Sequence, residues 1–297
     1  MLAVKIAGYY RHFNHQKHHY LLLPVLFLIA YLSIYFHKQP MFDGRLLIKI
    51  KKDVRQMNNT LQKIALIAPK TGLEDFLKKH GVSEIVHTEK NPYLQHFLAY
   101  HPDMIVCFVG QNNVILHNSQ QSMAKMLKTR AKGLSLYISD QPDRPDYPFD
   151  IALNAVTFGK KIFGYKNRLS LQISDLAKSK GYEIIDCKQG YTHCSILKIS
   201  ENAAITGDKG LYNKLMSNGI DALQVNNSEI KLEGYSYGFI GGCGLMITEH
   251  TLALNGSLKK CTFGNEMQAF CKKHGVEIAE ASENQLTDIG GGFILTV

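Results

Sequence analysis

The sequence predicts an α/β fold in which five similar units, each a strand, a strand, a helix and a third strand, form a closed ring. Three observations predict it. Apolar runs recur roughly every 45 residues, a spacing typical of solenoid, propeller and array architectures. A second strand, a helix and a third strand follow each of the first four runs. The two ends of the chain supply the parts of a fifth unit.

Each apolar run is predicted to be the first strand of a unit, because a short apolar stretch bounded by turn residues is typical of a buried strand. The runs are DMIVCFV from Asp103, DIALNAVTF from Asp150, HCSILKI from His193, FIGGCGLMI from Phe239 and DIGGGFILTV from Asp288. A polar turn and a second strand follow each of the first four runs, as in a β-hairpin. These second strands are predicted at 114–117, 161–165, 203–208 and 252–256.

A helix comes next in each unit, and a glycine after it supplies the left-handed residue with which helices commonly end. The helices are predicted at 119–131, 169–180, 209–218 and 263–274, followed by Gly133, Gly181, Gly219 and Gly275. The third strands are predicted at 134–139, 182–187, 221–226 and 276–281.

The fifth unit is split between the two ends of the chain. Its first strand is predicted at 289–297, and its second strand, helix and third strand at 63–69, 71–80 and 82–88, with Gly81 ending the helix. Pairing the C-terminal strand with the N-terminal part closes the ring without open sheet edges. The alternative is an ordinary open α/β sheet in which the even spacing is a coincidence.

One stretch, from Gly234 to Gly244, contains five glycines in eleven residues. Glycine is needed where the backbone closely approaches another backbone or a ligand, or takes a positive φ. The stretch therefore predicts a strand that enters a crowded centre of the fold.

Composition excludes several classes of function. Four of the basic residues that give the net charge of +9 lie in positions 1–40, which contain no acid. The other charges are dispersed along the chain. Nucleic-acid binding is therefore not expected, because the clustered basic and aromatic residues of such proteins are lacking. The six cysteines show neither paired metal-ligand spacing nor a secreted-domain pattern, so we expect free thiols, no metal site and no cofactor.

The first forty residues are predicted to be an extension to a single domain at 41–297. Residues 20–36 form an uncharged run at the lower limit of what spans a bilayer. More Lys and Arg follow this run than precede it, which would leave the domain on the cytoplasmic side of the membrane. The alternative is that Met41 opens a complete soluble domain and residues 1–40 precede the true start.

A set of short motifs carries a resemblance to a known fold family. They are His101-Pro-Asp103, Tyr147-Pro148 with Asp150 and Asn154, Lys188-Gln-Gly-Tyr191 with Cys194-Ser195, Thr206 with Asp208, Gly234-Tyr235 with Gly238-Phe-Ile-Gly-Gly242, and Asp288-Ile-Gly290. From about residue 60 onward, the chain resembles the pentein fold of the guanidine-group-modifying enzymes, a five-bladed (ββαβ)5 propeller. Within that fold it is most similar to an uncharacterised bacterial family of unknown function.

The resemblance implies a central small-molecule pocket for a guanidino or amino-acid-like ligand. It also implies thiol-dependent hydrolase or amidinotransferase chemistry on a C–N bond, as in arginine deiminases, dimethylarginine hydrolases and amidinotransferases. Two differences from the family argue against the same chemistry in this chain. The family's Cys-His pair is missing after Gly290-Gly-Gly292, and Cys243 stands where deiminase-like members carry an acid. The alternative is a pentein that binds a ligand without catalysis.

The candidate nucleophiles are Cys194 and Cys243, although a buried apolar thiol is the commonest state of a cysteine. Cys194 is predicted on the first strand of the third unit, where His193 would point to the opposite face. A neighbouring charge such as Lys188 or Asp208 would then tune its thiol.

The candidate ligand-binding residues combine polar side chains with the glycine pair of the crowded stretch. Asn154 is predicted in mid-strand, where a buried polar group needs a partner. The acids that open first strands, such as Asp288, would converge on a cationic ligand, although an acid in that position is often a turn or cap residue. His101 and Asp103 are interpreted as structural. For Asp208 the alternative is a helix N-cap. The full set is Asn154, Lys188, Asp208, Gly241, Gly242 and Asp288.

Overall fold

The structure, a computed structural model, describes residues 62–110 and 112–297. The extension 1–40 and the apolar run 20–36 lie outside the described residues. No helix within the two described ranges combines the length and apolarity that a bilayer crossing requires.

Five three-stranded sheets of one design make up the described part of the chain. In each sheet, the middle strand pairs antiparallel with one neighbour and parallel with the other. The strands are β1 (Lys63–Ile67), β2 (Glu84–His87), β3 (Val106–Val109), β4 (Asn113–His117), β5 (Ser135–Ser139), β6 (Val156–Phe158), β7 (Lys161–Gly164), β8 (Glu183–Asp186), β9 (Ile196–Ser200), β10 (Ala203–Thr206), β11 (Asp221–Gln224), β12 (Gly244–Thr248), β13 (Thr251–Leu254), β14 (Glu277–Glu280) and β15 (Gly292–Thr296).

A helix connects the two parallel strands of every sheet, because parallel neighbours cannot be joined by a tight turn. These helices are α1 (Glu74–Lys79), α3 (Gln121–Arg130), α4 (Leu171–Lys180), α5 (Lys209–Ser217) and α6 (Gly264–Lys273), and a short helix α2 (Pro102–Ile105) precedes β3. The predicted order of strand, strand, helix and strand is thus confirmed in the first four units.

The split fifth unit is also confirmed. Strand β15 pairs antiparallel with β1, from Lys63 opposite Thr296 to Ile67 opposite Gly292. Strand β1 in turn pairs in parallel with β2. The two ends of the described chain therefore complete one sheet.

The helices bury one face and end largely as predicted. Helix α4 buries Ile173, Leu176 and Ala177, at the spacing of one helical face. Four of the five predicted glycines have positive φ: Gly81, Gly181, Gly219 and Gly275. Gly133 does not, because α3 ends earlier, at Arg130, with Ala131 as its C-cap.

The first strand of every unit starts three to six residues later than the apolar runs predicted. The leading residues instead form turns and short helices, closed by local backbone bonds such as Met104 N to His101 O, 3.1 Å, and Ser195 N to Tyr191 O, 3.0 Å. We call these five stretches the approach segments. They are residues 101–105, 150–155, 191–195, 239–243 and 288–291.

The glycine pair of the crowded stretch lies where approach segments meet. A Cβ on Gly241 would overlap the carbonyl oxygens of His193 and Cys194, and one on Gly242 would overlap the Asp288 carboxylate. Side chains are therefore sterically excluded from both positions. The prediction of a crowded centre is confirmed, although Ile240–Cys243 forms a 3-10 turn before β12 and not a strand.

We expect Gly241→Ala to lower the free energy of unfolding by about 3 kcal/mol, because the new methyl group meets two backbone carbonyls that cannot move aside. Gly275→Ala is the matched control. Its φ of +71° is strained for alanine, but no atom lies within 4 Å of the added Cβ, so the expected loss is about 1 kcal/mol. Chemical denaturation followed by circular dichroism measures both. Equal losses would show that backbone crowding does not explain Gly241.

Candidate functional site

Four of the five approach segments bring polar side chains together at one buried point. We call these side chains the central cluster: His101, Asp103, Asn154, Cys194 and Asp288. Each is at most 6% exposed. The sequence predicted Asn154, Cys194 and Asp288 as site residues and missed His101 and Asp103.

Asn154 fixes the position of Cys194. Its Oδ1 accepts hydrogen bonds from the backbone N–H groups of His193, at 2.6 Å, and of Cys194, at 3.4 Å. Its Nδ2 donates to the Cys194 Sγ, at 2.9 Å, and to the backbone oxygen of Asp103, at 3.0 Å. The predicted mid-strand position of Asn154 is wrong, because β6 starts only at Val156. These protein contacts hold the thiol and backbone of Cys194 in place.

A cavity of about 200 Å³, the central cavity, lies over this cluster. Its floor includes His101, Cys194 and Asp288, and its walls are largely apolar and aromatic. The remaining lining residues are Leu98, Met104, Tyr191, Leu232, Tyr235, Ser236, Tyr237 and Phe239. The ring centroid of Phe239 lies 6.0 Å from that of Tyr191 and 6.2 Å from that of Tyr237. The cavity therefore combines an acidic floor with aromatic walls.

Two carboxyl groups and a histidine form the most polar part of the centre: Asp288 and His101 line the cavity, and Asp103 lies beside them without lining it. Asp288 accepts backbone hydrogen bonds from Phe239 and Gly290, both at 2.9 Å. The Nδ1 of His101 lies 3.8 Å from Asp288 Oδ1 and 4.0 Å from Asp103 Oδ1. One potential ligand atom from each of these three residues falls within 4.8 Å of the others, so the set could hold a metal ion.

Asp103 is the unusual member of this group. It is 2% exposed, and neither of its carboxyl oxygens has a hydrogen-bond partner within the described ranges. Desolvation, followed by the charge of Asp288, raises the pKa of Asp103 to about 8. Burial also raises the pKa of Asp288 and lowers that of His101. At neutral pH Asp103 therefore holds a proton, and His101 is neutral.

The thiol of Cys194 is protonated in the free protein. Burial raises its pKa well above the usual value, and the charges of Asp103 and Asp288 raise it further. The predicted tuning by Lys188 is wrong, because that side chain is 92% exposed and pairs with Asp186 at 3.8 Å. His193 and Cys194 lie in a turn before β9, so the argument from alternating strand faces does not apply.

His193 is nevertheless not a partner of the thiol. Its ring packs against Phe293, with centroids 5.3 Å apart, and its backbone N–H binds Asn154. Burial lowers the pKa of His193 to about 4, so the ring is neutral.

Cys243 lies in the hydrophobic core and does not line the central cavity. Its thiol contacts the backbone oxygen of Phe239 at 3.3 Å, and burial raises its pKa well above the usual value. Cys243 is therefore a buried thiol in apolar surroundings, the commonest state of a cysteine. Among the six cysteines, Cys194 is the one that reaches the central cavity.

Asp208 lies apart from Cys194 and is the N-cap of α5, with Oδ1 2.8 Å from Leu211 N. It lines a second, open cavity of about 860 Å³, the outer cleft. Tyr237 and Phe239 line both cavities. The other lining residues of the outer cleft are Gln189, Gly207, Gln224, Val225, Asn226, Asn227, Ser228, Thr262, Phe263 and Glu266.

The missed residues share a signal in the sequence. His101, Asp103 and Tyr191 all lie at or just before the start of an apolar run, the same relative position as Asp288. The structure brings these equivalent positions together, since His101 lies near both Asp103 and Asp288, and Tyr191, His101 and Asp288 line one cavity. Tyr191 is coupled to the adjacent segment, because its hydroxyl donates to Asp150 Oδ2 at 2.6 Å.

Comparison with solved structures shows the fold. An amidinotransferase of Microseira wollei, from the saxitoxin biosynthetic pathway, is 15% identical, with a TM-score of 0.50 over 75% of this chain and 88% of that chain. The inosamine-phosphate amidinotransferase of Streptomyces griseus is 14% identical, with a TM-score of 0.48 over 75% and 77%. DDAH from Pseudomonas aeruginosa, complexed with citrulline, is 8% identical, with a TM-score of 0.47 over 80% and 98%.

Comparison by sequence shows the family. No curated protein matches the chain. Residues 68–293 match the profile of the family described as "Family of unknown function (DUF6873)". The match covers well over half of the chain, and the structural likeness is to the pentein amidinotransferases. The chain therefore belongs to this family of unknown function, and it has an α/β fold like that of the pentein amidinotransferases.

Proposed function

We propose that the central cavity binds a small ligand with a guanidino or amino head, whose positive charge lies over Asp288 and Asp103. One observation carries this proposal: Asp288 lines the cavity, and next to it lies the buried Asp103 carboxyl group, which has no hydrogen-bond partner within the described ranges. An unpaired buried carboxylate is costly, and a cation beside it offsets that cost.

The walls of the cavity suit the same ligand. Tyr191, Tyr237 and Phe239 present aromatic rings, and a guanidinium or ammonium group is attracted to the face of such a ring. The net positive charge of the chain does not oppose this, because neither Lys nor Arg lines the cavity among the described residues.

For catalysis we propose Cys194 as the nucleophile. A bound guanidinium would favour the thiolate, because an adjacent positive charge lowers the pKa of a thiol. The Sγ then forms a C–S bond to the guanidinium carbon, a C–N bond breaks, and the departing amine takes up the thiol proton. Attack by water, in a hydrolase, or by a second amine, in an amidinotransferase, breaks the C–S bond and restores the thiol.

A specific observation favours the second candidate, a binding protein without catalysis. The polar groups that act on Cys194 Sγ within the described ranges are Asn154 Nδ2, Met104 Sδ and the Asp103 carboxyl group, and none of them is a histidine that could serve as a base. Catalysis would then depend on the charge of the ligand alone.

We also propose that the five sheets are the blades of a closed ring around the central cavity. Contacts between successive first strands support it: β3 lies against β6, and β12 lies against both β9 and β15. The pairing of β15 with β1 supplies the joint between the two ends.

For the location, we propose the cytoplasm, with residues 20–36 as the candidate membrane anchor. The excess of basic residues after that run supports the orientation.

We expect the affinity for methylguanidine to rise with pH between 6 and 8 and to level off above pH 8. Binding requires the ionised form of Asp103, whose pKa in the free protein is raised to about 8. The rise is at most tenfold per pH unit, with release of up to one proton. Calorimetry in buffers of different ionisation enthalpy measures both, with EDTA present so that no metal ion occupies the floor.

The control pair is Asp103→Asn and Asp175→Asn, the latter removing an exposed acid on α4. Asp103→Asn abolishes the pH dependence, and Asp175→Asn keeps it. The folded pKa of Asp103 lies above the unfolded value, so its ionisation opposes folding as pH rises from about 4 to 8. Asp103→Asn should therefore melt above the wild type at pH 8. An affinity independent of pH in the wild type contradicts the proposed role of Asp103.

Covalent labelling distinguishes the enzyme from the binding protein. Chloroacetamidine and chloroacetamide differ mainly in the positive charge of the amidine. We expect Cys194 to react at least tenfold faster with the amidine, because Asp288 and Asp103 attract the cation and thereby favour the thiolate. Peptide mass spectrometry gives the rate at each cysteine, and the partly exposed Cys261 corrects for the intrinsic difference between the reagents.

Asp288→Asn should remove the preference at Cys194 and leave Cys261 unchanged. Cys243 should stay unlabelled by both reagents in the folded protein, because it is fully buried. Equal corrected rates at Cys194 would leave the binding protein without catalysis as the better description.

Membrane fractionation tests residues 20–36. We expect the full chain to sediment with membranes and the chain starting at Met41 to stay in the supernatant, because a run of this length and apolarity partitions into a bilayer. The same distribution for both chains would reject the anchor.

A further inference from the structure

The outer cleft lies directly beside the central cavity, and the two share Tyr237 and Phe239 as walls. The central cavity, at about 200 Å³, is smaller than the usual pocket for a whole small molecule. A ligand longer than its head group must therefore extend past these two rings. The outer cleft, at about 860 Å³, is the space that would receive the rest.

The outer cleft presents hydrogen-bond acceptors. Asp208 and Glu266 contribute carboxylates, and Asn227 contributes an amide oxygen. The amide oxygen of Gln189 is already bonded to Tyr191 N, at 3.2 Å, and Asp208 Oδ1 to Leu211 N, at 2.8 Å. Asn227 Oδ1 is buried and has no hydrogen-bond partner within the described ranges. Buried polar atoms in native proteins nearly always have partners, so an unpaired acceptor in a cleft indicates a missing donor.

Positive charge is lacking on both sides of the shared wall. Among the described residues, neither Lys nor Arg lines the outer cleft or the central cavity. A ligand carboxylate would thus lose its water without gaining a cationic partner, and it would face two protein carboxylates. An amide, a hydroxyl or an amine would instead donate to the acceptors that are present.

We propose that the ligand carries no free carboxylate, and that its tail, a neutral or cationic hydrogen-bond donor such as an amide-linked or peptide-linked chain, occupies the outer cleft. The proposal rests on the proposed function for the head group and adds the chemical class of the tail. It predicts discrimination against a free amino acid in favour of its amide.

Three probes separate head from tail. Methylguanidine is a head alone, N-acetyl-L-argininamide adds a neutral tail, and N-acetyl-L-arginine differs from the latter only by a carboxylate. Calorimetry at pH 8 with the full chain should give at least tenfold tighter binding for the amide than for the acid. The amide should also bind more tightly than methylguanidine.

Two variants test whether the preference for the amide over the acid arises in the outer cleft. Glu266→Gln should reduce the preference for the amide over the acid several-fold, and Asn227→Ala should weaken the amide several-fold, while both leave methylguanidine unchanged. Glu249→Gln is the matched control for net charge, because Glu249 is exposed in the turn between β12 and β13 and does not line the cleft. It should change none of the three affinities.

The outcomes separate the two proposals. If the acid binds as tightly as the amide while methylguanidine binds, the tail assignment is overturned and the head site stands. If the preference persists unchanged in Glu266→Gln and Asn227→Ala, the outer cleft is not its source, which also overturns the assignment. If none of the three probes binds, the head site and the tail assignment both fall.

Discussion

The hydrogen bonds of two buried side chains hold the centre of this protein together. Asn154 joins its own approach segment to the backbone at Asp103 and to the turn at His193 and Cys194. Asp288 joins the remaining two segments through the backbone N–H groups of Phe239 and Gly290. Each bond satisfies a group that could not otherwise be buried without a cost of about 1–3 kcal/mol. The position of the Cys194 thiol follows from this arrangement.

The same centre contains groups that oppose folding. Among the described residues the carboxyl oxygens of Asp103 have no hydrogen-bond partner, and the pKa values of Asp103 and Asp288 are both raised by burial. Natural proteins keep such groups chiefly where function needs them, since a stability optimum would replace them. Further buried polar atoms without partners within the described ranges lie in the adjacent approach segments, at Asp150 Oδ1, His193 Nδ1 and Ser195 Oγ, so the unfavourable burial extends beyond the two carboxyl groups.

The elements that sequence predicted well are those governed by local rules. The helix starting after Asp208 follows from side-chain capping, and the ends at Gly81, Gly181, Gly219 and Gly275 follow from the freedom of glycine at positive φ. The strand starts were predicted too early, because apolar burial continues through the approach segments, although their backbone is not extended. The apolar pattern of the sequence there indicates burial alone. The turns of the approach segments depend on contacts between segments that are far apart in sequence.

The candidate site was predictable only in part, for the same reason. Asn154 stood out because a polar residue interrupts an apolar run, and Asp288 because it opens one. The pairing of Asp103 with Asp288 joins residues far apart in sequence, and no local pattern distinguishes it from two turn residues. The expected role of Lys188 failed because a short distance along the chain does not place a side chain in the cavity.

The pairing of β15 with β1 has a consequence for the order of events during synthesis. Strand β1 emerges early from the ribosome, yet its antiparallel neighbour is made only after residue 291, in the same short stretch that brings Asp288 to the centre. Until then, one edge of β1 stays open to pairing with other chains. Until residues 288–296 fold into place, the nascent chain thus has neither a complete first sheet nor the Asp288 carboxyl group at its centre.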